Sequence, residues 1–171
     1  MSETGLSQEQ YDLLLKIFSP SEEDEETDVE VFLQQITTPE ELHQLAINYN
    51  WDDGIGIPDW IIRQPFCDRG TALLVFWRAA PRPYYGYANR DEVLKKQGGI
   101  FDDEVDYYDL VKEIETRYLA GFYSQQNIAF DPNNDEGTIR TQIYLEYEAK
   151  QELPPIMLIA TPGKVLERAS F

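Results

Sequence analysis

The 171-residue chain has very few of the side chains that most often bind metals or act as nucleophiles. It contains one cysteine, Cys67, and one histidine, His43. A single cysteine cannot form an internal disulfide, which is typical of a reducing compartment. His43 has no second histidine and no cysteine at metal-ligand spacing, so we expect no zinc site. Asp68 beside Cys67 would raise the pKa of the thiol, so we predict a buried structural cysteine rather than a nucleophile activated by His43.

Positive charge is also scarce. The chain has 14 Lys and Arg against 32 Asp and Glu, which gives a formal net charge of −18. Nucleic-acid binding needs cationic side chains that replace counterions on phosphates, so we expect no nucleic-acid partner. An anionic membrane surface is disfavoured for the same reason. A basic protein would be attracted, although the acidity also fits a simple role in solubility.

Long hydrophobic runs and cofactor motifs are missing too. No apolar run approaches the roughly 18 residues that a membrane-spanning helix needs. The N-terminal stretch has neither the basic nor the apolar region of a secretory signal, so we expect a cytoplasmic protein. There is no GxGxxG, Walker or GxSxG motif, and we therefore expect no cofactor and no catalytic residue of those classes.

Apolar side chains, by contrast, are sufficient for a core. They make up 42% of the chain, and aromatic residues make up 13%. Two capping boxes predict helix starts. In the first, Ser7 is followed three residues later by Gln10, and in the second Thr38 and Pro39 are followed by Glu41. TALLVFWRAA predicts a buried helix.

These patterns predict an all-α fold of about seven or eight short helices, which can be arranged as stacked helical hairpins. Residues 1–36 contain a helix, an acidic loop over 21–30 and a short helix, and they form either an arm or an integrated part of the fold. Residues 37–171 form the main helical domain. Segment 138–150 fits a helix by its composition, but its alternation also fits a strand.

Two short motifs stand close together in the first half of the chain. The first is Asn-Trp-Asp-Asp-Gly at 50–54, and the second is Pro-x-Cys-Asp-x-Gly-Thr-Ala-Leu at 65–73. With these motifs, residues 42–77 resemble a bacterial family known only as a domain of unknown function. The resemblance implies a small stand-alone cytoplasmic protein and no established activity. By analogy with other such families, it also suggests an immunity protein beside a secreted toxin.

The residues of these motifs are the first candidate site, in competition with a structural role. The candidates are Asn50, Trp51, Asp52, Asp53, Gly54, Cys67, Asp68 and Gly70. Adjacent carboxylates on a turn usually point in different directions, so we expect no metal ion there. In the structural interpretation the 50–54 motif ends a helix, Asp52 caps the next helix near Ile55, and Trp51 packs beneath the loop.

A tyrosine-rich loop is the second candidate. Tyr84, Tyr85 and Tyr87 surround Gly86, and tyrosine is enriched at protein interfaces because it buries a large area at modest entropic cost. The same rings can equally pack onto the helices of the domain itself. The loop is therefore a candidate interface and not an assigned one.

Three functions remain open from the sequence. The leading hypothesis is a non-enzymatic interaction module that binds a basic protein, with an immunity or antitoxin-like role as its most concrete form. The second is a metal- or carboxylate-dependent enzyme that uses Asp52, Asp53 and Asp68 with His43. The third is a structural subunit of a homo-oligomer, whose oligomeric state the sequence does not give.

Overall fold

The computed structural model describes residues 3–22, 24, 27–96, 103–142 and 148–171. Within these residues the chain is all-α, which confirms the predicted fold class. The described part contains seven α-helices: α1 (Gln8–Phe18), α2 (Val29–Leu33), α3 (Pro39–Asn48), α4 (Gly56–Arg63), α5 (Arg69–Arg78), α6 (Arg90–Lys96) and α7 (Glu104–Leu119). Short 3₁₀ turns lie at Trp51–Asp53, Arg82–Gly86, Arg140–Gln142 and Pro155–Leu158.

Both predicted capping boxes are confirmed. The Ser7 hydroxyl accepts a hydrogen bond from the Gln10 backbone N–H, and the Gln10 side chain accepts one from the Ser7 backbone N–H. Thr38 and Glu41 make the same reciprocal pair at the start of α3, with Pro39 at the first helical position. These side chains satisfy N–H groups that would otherwise have no partner inside the helix.

Helix α5 is the centre of the core. Its residues from Gly70 to Trp77 are buried without interruption. Helices α3, α4 and α7 all pack against it. A helix that is apolar on every side must be enclosed by other elements, as the TALLVFWRAA pattern predicts.

Helix α1 packs on the same core as α3 and α5. Leu14 is fully buried within it. The Phe171 ring from the end of the chain lies between the rings of Tyr11 and Phe18, with centroid distances of 5.1 and 5.0 Å.

One buried amide joins both ends of the chain to α3. Gln44 Nε2 donates to the backbone carbonyls of Thr4 at 2.9 Å and Glu167 at 2.7 Å. Its Oε1 accepts from the Ala169 N–H at 2.9 Å. Gln44 is completely buried, and these three bonds satisfy backbone groups that regular secondary structure leaves unpaired.

The C-terminal third is mostly irregular where it is described. Of the segment predicted as helix or strand over 138–150, residues 140–142 form a 3₁₀ turn and residues 148–150 have no regular structure. Residues 143–147 lie outside the described residues. The β-structure in the described part consists of two isolated bridges, Ile128 with Lys164 and Asp135 with Thr138.

None of the helices in the described ranges has the length and apolar character needed to cross a bilayer.

Candidate functional site

The Asn50–Gly54 segment, called the NWDDG turn below, ends α3 and adds a turn of its own. The Asn50 side chain accepts a hydrogen bond from the Asp52 N–H at 3.3 Å, which starts the 3₁₀ turn. Gly54 closes the turn with φ 83°, a conformation that glycine adopts without strain. The Tyr49 hydroxyl donates to the Gly54 carbonyl at 3.0 Å.

The carboxylates of this turn do not cap the next helix. The expectation that Asp52 caps it is wrong, because the 3₁₀ turn places Ile55 at the N-cap of α4, and no side chain makes a capping bond there. Asp52 and Asp53 are exposed instead. Their charges are therefore available to solvent or to a partner.

Trp51 packs beneath the turn as predicted. Its ring meets the Tyr49 ring edge-on at 5.8 Å and lies 6.3 Å from the Tyr107 ring of α7. The Tyr107 hydroxyl donates to the Trp51 carbonyl at 3.2 Å. The Trp51 Nε1 is buried and has no hydrogen-bond partner among the described residues.

Two hollows flank the NWDDG turn. The Trp60 groove, of about 570 Å³, lies between α2 and α4. Its walls include Glu30, Leu33, Tyr49, Asp53, Ile57 and Trp60. The Tyr107 cavity, a shallow and open depression of about 420 Å³, lies beside Trp51. Its walls include Trp51, Tyr84, Asp103, Glu104 and Tyr107. Each hollow combines aromatic rings with carboxylates.

Burial and nearby carboxylates raise the pKa values of two tyrosines around the turn, Tyr49 and Tyr107. Burial and the charge of Asp53 raise the pKa of Tyr49 to about 12. Burial raises the pKa of Tyr107, and the charges of Asp103 and Asp52 raise it further. The carboxylates on both sides of Trp51 thus create a negative potential at these rings, which attracts cations.

The second motif has a structural role. Asp68 is completely buried and caps α5: its Oδ1 accepts from the Gly70 N–H at 2.8 Å, and its Oδ2 accepts from the Asn127 N–H at 2.7 Å. A Cβ at Gly70 would lie 2.1 Å from the Ile128 carbonyl oxygen. The two residues therefore hold the segment around Asn127 and Ile128 against the start of α5.

Cys67 and His43 are both buried and uncharged at neutral pH. Burial, followed by the charge of Asp68, raises the pKa of the Cys67 thiol, as the sequence predicts. Burial, followed by the charge of Arg78, lowers the pKa of His43 to about 4. The His43 Nδ1 lies 3.0 Å from the Thr71 Oγ1.

The four groups of the enzyme hypothesis have different surroundings. Asp52 and Asp53 lie on the exposed turn, and Asp53 lines the Trp60 groove. His43 lines a separate cavity of about 380 Å³. The Asp68 carboxylate is already hydrogen-bonded as the N-cap of α5. Across the described ranges, no three His, Cys, Asp or Glu side chains are grouped so that they could hold a metal ion.

The tyrosine-rich loop contributes one ring to the candidate site. Of the two alternatives for the loop, Tyr85 has the surroundings of the packing alternative: its ring is fully buried and its hydroxyl donates to Glu115. Tyr87 is also buried, and its hydroxyl donates to Glu104. Tyr84 alone of the three reaches the Tyr107 cavity, where its ring meets Tyr108 at 6.3 Å.

Sequence reasoning missed the contribution of α7 to the site. Asp103 and Glu104 begin this helix, and Tyr107 follows one turn later on the same face. The helical spacing of these residues in the sequence indicated that they share one face of a helix. Nothing in the sequence placed the start of α7 beside Trp51.

Comparison with known proteins identifies a family model that matches part of the chain. No curated protein and no solved structure matches the chain. Residues 37–119, which run from the start of α3 to the end of α7 and include the NWDDG turn, match the model of a domain of unknown function, DUF4274.

Proposed function

We propose that the protein is a non-enzymatic interaction module that binds a basic protein through the NWDDG turn and the two hollows beside it. An immunity or antitoxin-like role, with a basic toxin as the partner, is the most concrete form of this function. The observation that carries it is the position of Asp52 and Asp53, exposed between two aromatic hollows. Aromatic residues are enriched at protein interfaces, and carboxylates beside them favour a positively charged partner.

The charge of the molecule supports the same proposal. A net charge of −18 accelerates encounter with a basic partner and repels acidic ones. The exposed acids of the turn lie beside aromatic rings that offer apolar contact area. A basic partner would therefore be attracted by the charges and would bury the rings at the same place.

The experiment is an affinity capture with the purified protein, in which bound partners are identified by mass spectrometry and reconstituted pure. We expect a partner of high isoelectric point whose affinity falls steeply with salt. The double variant Asp52→Asn/Asp53→Asn should weaken binding at least about tenfold.

The matched control is Glu148→Gln/Glu152→Gln, which removes the same charge from two exposed positions outside the turn. This control should bind within about twofold of the wild type, because neither residue lines the two hollows and an exposed charge outside the contact contributes little. A partner that is not basic, retention that ignores salt, or an equal loss in both double variants would contradict the proposal.

A further inference from the structure

We propose that the Tyr107 cavity binds an arginine side chain of the basic partner, with the guanidinium between the rings of Trp51, Tyr84 and Tyr107 and paired with Asp103. The inference rests on the proposed function and names the group of the partner that this face recognises.

The rings come from three separate elements. Trp51 belongs to the NWDDG turn, Tyr84 to the 3₁₀ turn Arg82–Gly86, and Tyr107 to α7. The Tyr107 hydroxyl bond to the Trp51 carbonyl and the packing of Tyr84 on Tyr108 fix their positions relative to one another. A cation over such rings is attracted by their negative faces.

Carboxylates supply the charge complement at the rim. Asp103 is exposed, and Glu104 beside it already accepts a bond from the Tyr87 hydroxyl. The first turn of α7 carries the positive end of the helix dipole, equivalent to about half a charge. Two carboxylates exceed that half charge, so the cavity favours a cation.

Arg78 lines the cavity but is already paired. Its guanidinium donates to Asp135 at 2.7 Å, to Glu136 at 3.0 Å and to the Ile47 carbonyl at 2.6 Å. Its side chain is only 8% exposed. These three acceptors lie outside the walls of the cavity, so the charge of Arg78 is compensated without the carboxylates of Asp103 and Glu104.

The cavity differs from the Trp60 groove in the chemistry of its walls. The groove adds aliphatic walls from Val29, Leu33 and Ile57 to its two rings, and these walls suit an apolar side chain. The described walls of the Tyr107 cavity contain three rings and no valine, leucine or isoleucine. Arginine fits it better than lysine, because a guanidinium is planar, less strongly hydrated and able to stack on a ring while it pairs with a carboxylate.

The test uses the three tryptophans as reporters. We would titrate ¹⁵N-labelled full-length protein, at constant ionic strength, with capped pentapeptides that carry one arginine, lysine or neutral citrulline between glycines. Trp51→Phe assigns the indole signal of Trp51. Trp77 is an internal reference, because it is buried and its Nε1 donates to the Met157 carbonyl at 2.7 Å.

We expect the arginine peptide to move the Trp51 indole signal saturably, with a dissociation constant on the order of 1 mM. The lysine peptide should bind at least about threefold more weakly, and the citrulline peptide should leave the signal unmoved. Asp103→Asn should weaken arginine binding about fivefold, whereas Glu152→Gln, with the same change of net charge, should not.

Ring variants complete the test. Tyr84→Leu should weaken binding about threefold and Tyr84→Phe should preserve it, because the phenyl face remains. An arginine effect at Trp60 without one at Trp51, equal responses to arginine and citrulline, or equal losses in Asp103→Asn and Glu152→Gln would overturn the assignment.

The two proposals fail in distinguishable ways. A captured basic partner that binds Tyr84→Leu and Asp103→Asn at wild-type affinity, but loses affinity in Asp52→Asn/Asp53→Asn, refutes the arginine site and supports the proposed function. A partner indifferent to all of these variants refutes both.

Discussion

Gly70 marks the closest approach between α5 and the irregular C-terminal third. Its missing Cβ leaves room for the Ile128 carbonyl, which a side chain would meet at 2.1 Å. Gly70→Ala should therefore destabilise the fold by about 3 kcal/mol, because either α5 or the backbone around Ile128 must move. Urea denaturation followed by circular dichroism measures this loss.

Gly56 provides the control for that substitution. It lies in α4, and a Cβ there would have no neighbour within 4 Å. Gly56→Ala should be neutral or stabilise by about 0.5 kcal/mol, since alanine loses less backbone entropy on folding. Equal destabilisation by the two substitutions would show that close approach is not the reason for Gly70.

His43 makes stability depend on pH. Its pKa is about 4 in the folded protein against 6.5 for the free side chain. Well above pH 6.5 it is neutral in both states and has no effect. As the pH falls below 6.5, the unfolded state binds the proton first, so stability falls until the pH nears 4. At pH 5 the loss is about 2 kcal/mol.

The measurement compares wild type with His43→Gln by urea denaturation at pH 7 and pH 5. The variant should lose about 2 kcal/mol less than the wild type over this interval, and the carboxylates common to both proteins cancel in the difference. If the two proteins lose the same stability, His43 is not buried as a neutral group.

At the scale of elements, an ion cluster ties α5 to the C-terminal third. Asp135 is buried between Arg78 and Arg140, at 2.7 and 2.8 Å. Burial acts to raise the pKa of Asp135, but hydrogen bonds from both guanidinium groups outweigh it and lower the pKa. Asp135→Asn leaves Arg78 underpaired and should cost about 3 kcal/mol.

Glu136 is the matched control for that variant. It also contacts Arg78, at 3.0 Å, but its side chain is 44% exposed. Glu136→Gln should cost less than about 1 kcal/mol, because water screens an exposed pair. Thermal or urea unfolding of both variants measures the difference in the free energy of unfolding. Comparable losses would mean that burial does not determine how much an ion pair contributes to stability.

The sequence predicted those elements whose stabilising interactions lie between residues close together in the chain. Each capping box, at Ser7 and at Thr38, is encoded within four consecutive residues, and the apolar pattern of α5 within about ten. Reasoning from local sequence therefore found them. The bonds of Asp68 to Asn127 and of Gln44 to Glu167 join distant parts of the chain. No periodic pattern encodes such bonds, which is why the C-terminal third was not predictable.

The candidate site shows the same division. The NWDDG turn and its exposed carboxylates follow from turn-forming residue types, and Trp51 was predicted to lie beneath it. Its neighbours Tyr107 and Asp103 come from α7 and its N-cap, more than fifty residues later, and tertiary packing brings them beside Trp51. The motif itself is therefore visible in the sequence, but the residues that form a cavity with it are not.

At the scale of the whole molecule, net charge sets the response to salt. With a charge of −18, repulsion among carboxylates opposes the compact state. Raising NaCl from 20 to 500 mM should stabilise the protein by about 1 kcal/mol, which corresponds to a rise of roughly 3 °C in Tm.

Calorimetry at stepped NaCl concentrations between 20 and 500 mM measures this effect. The increase should appear mainly below about 200 mM, where the screening length changes most. A fall in Tm with salt would mean that attractive ion pairs such as Arg78–Asp135 dominate over the repulsion.

The bonds of Gln44 also bear on how the molecule resists mechanical load. One amide fastens the backbone at Thr4 and at Glu167 to α3, and the Glu167 N–H donates to the Glu3 carbonyl at 3.0 Å. A force that pulls Glu3 away from Glu167 therefore acts first on these hydrogen bonds, before it reaches the helices of the core.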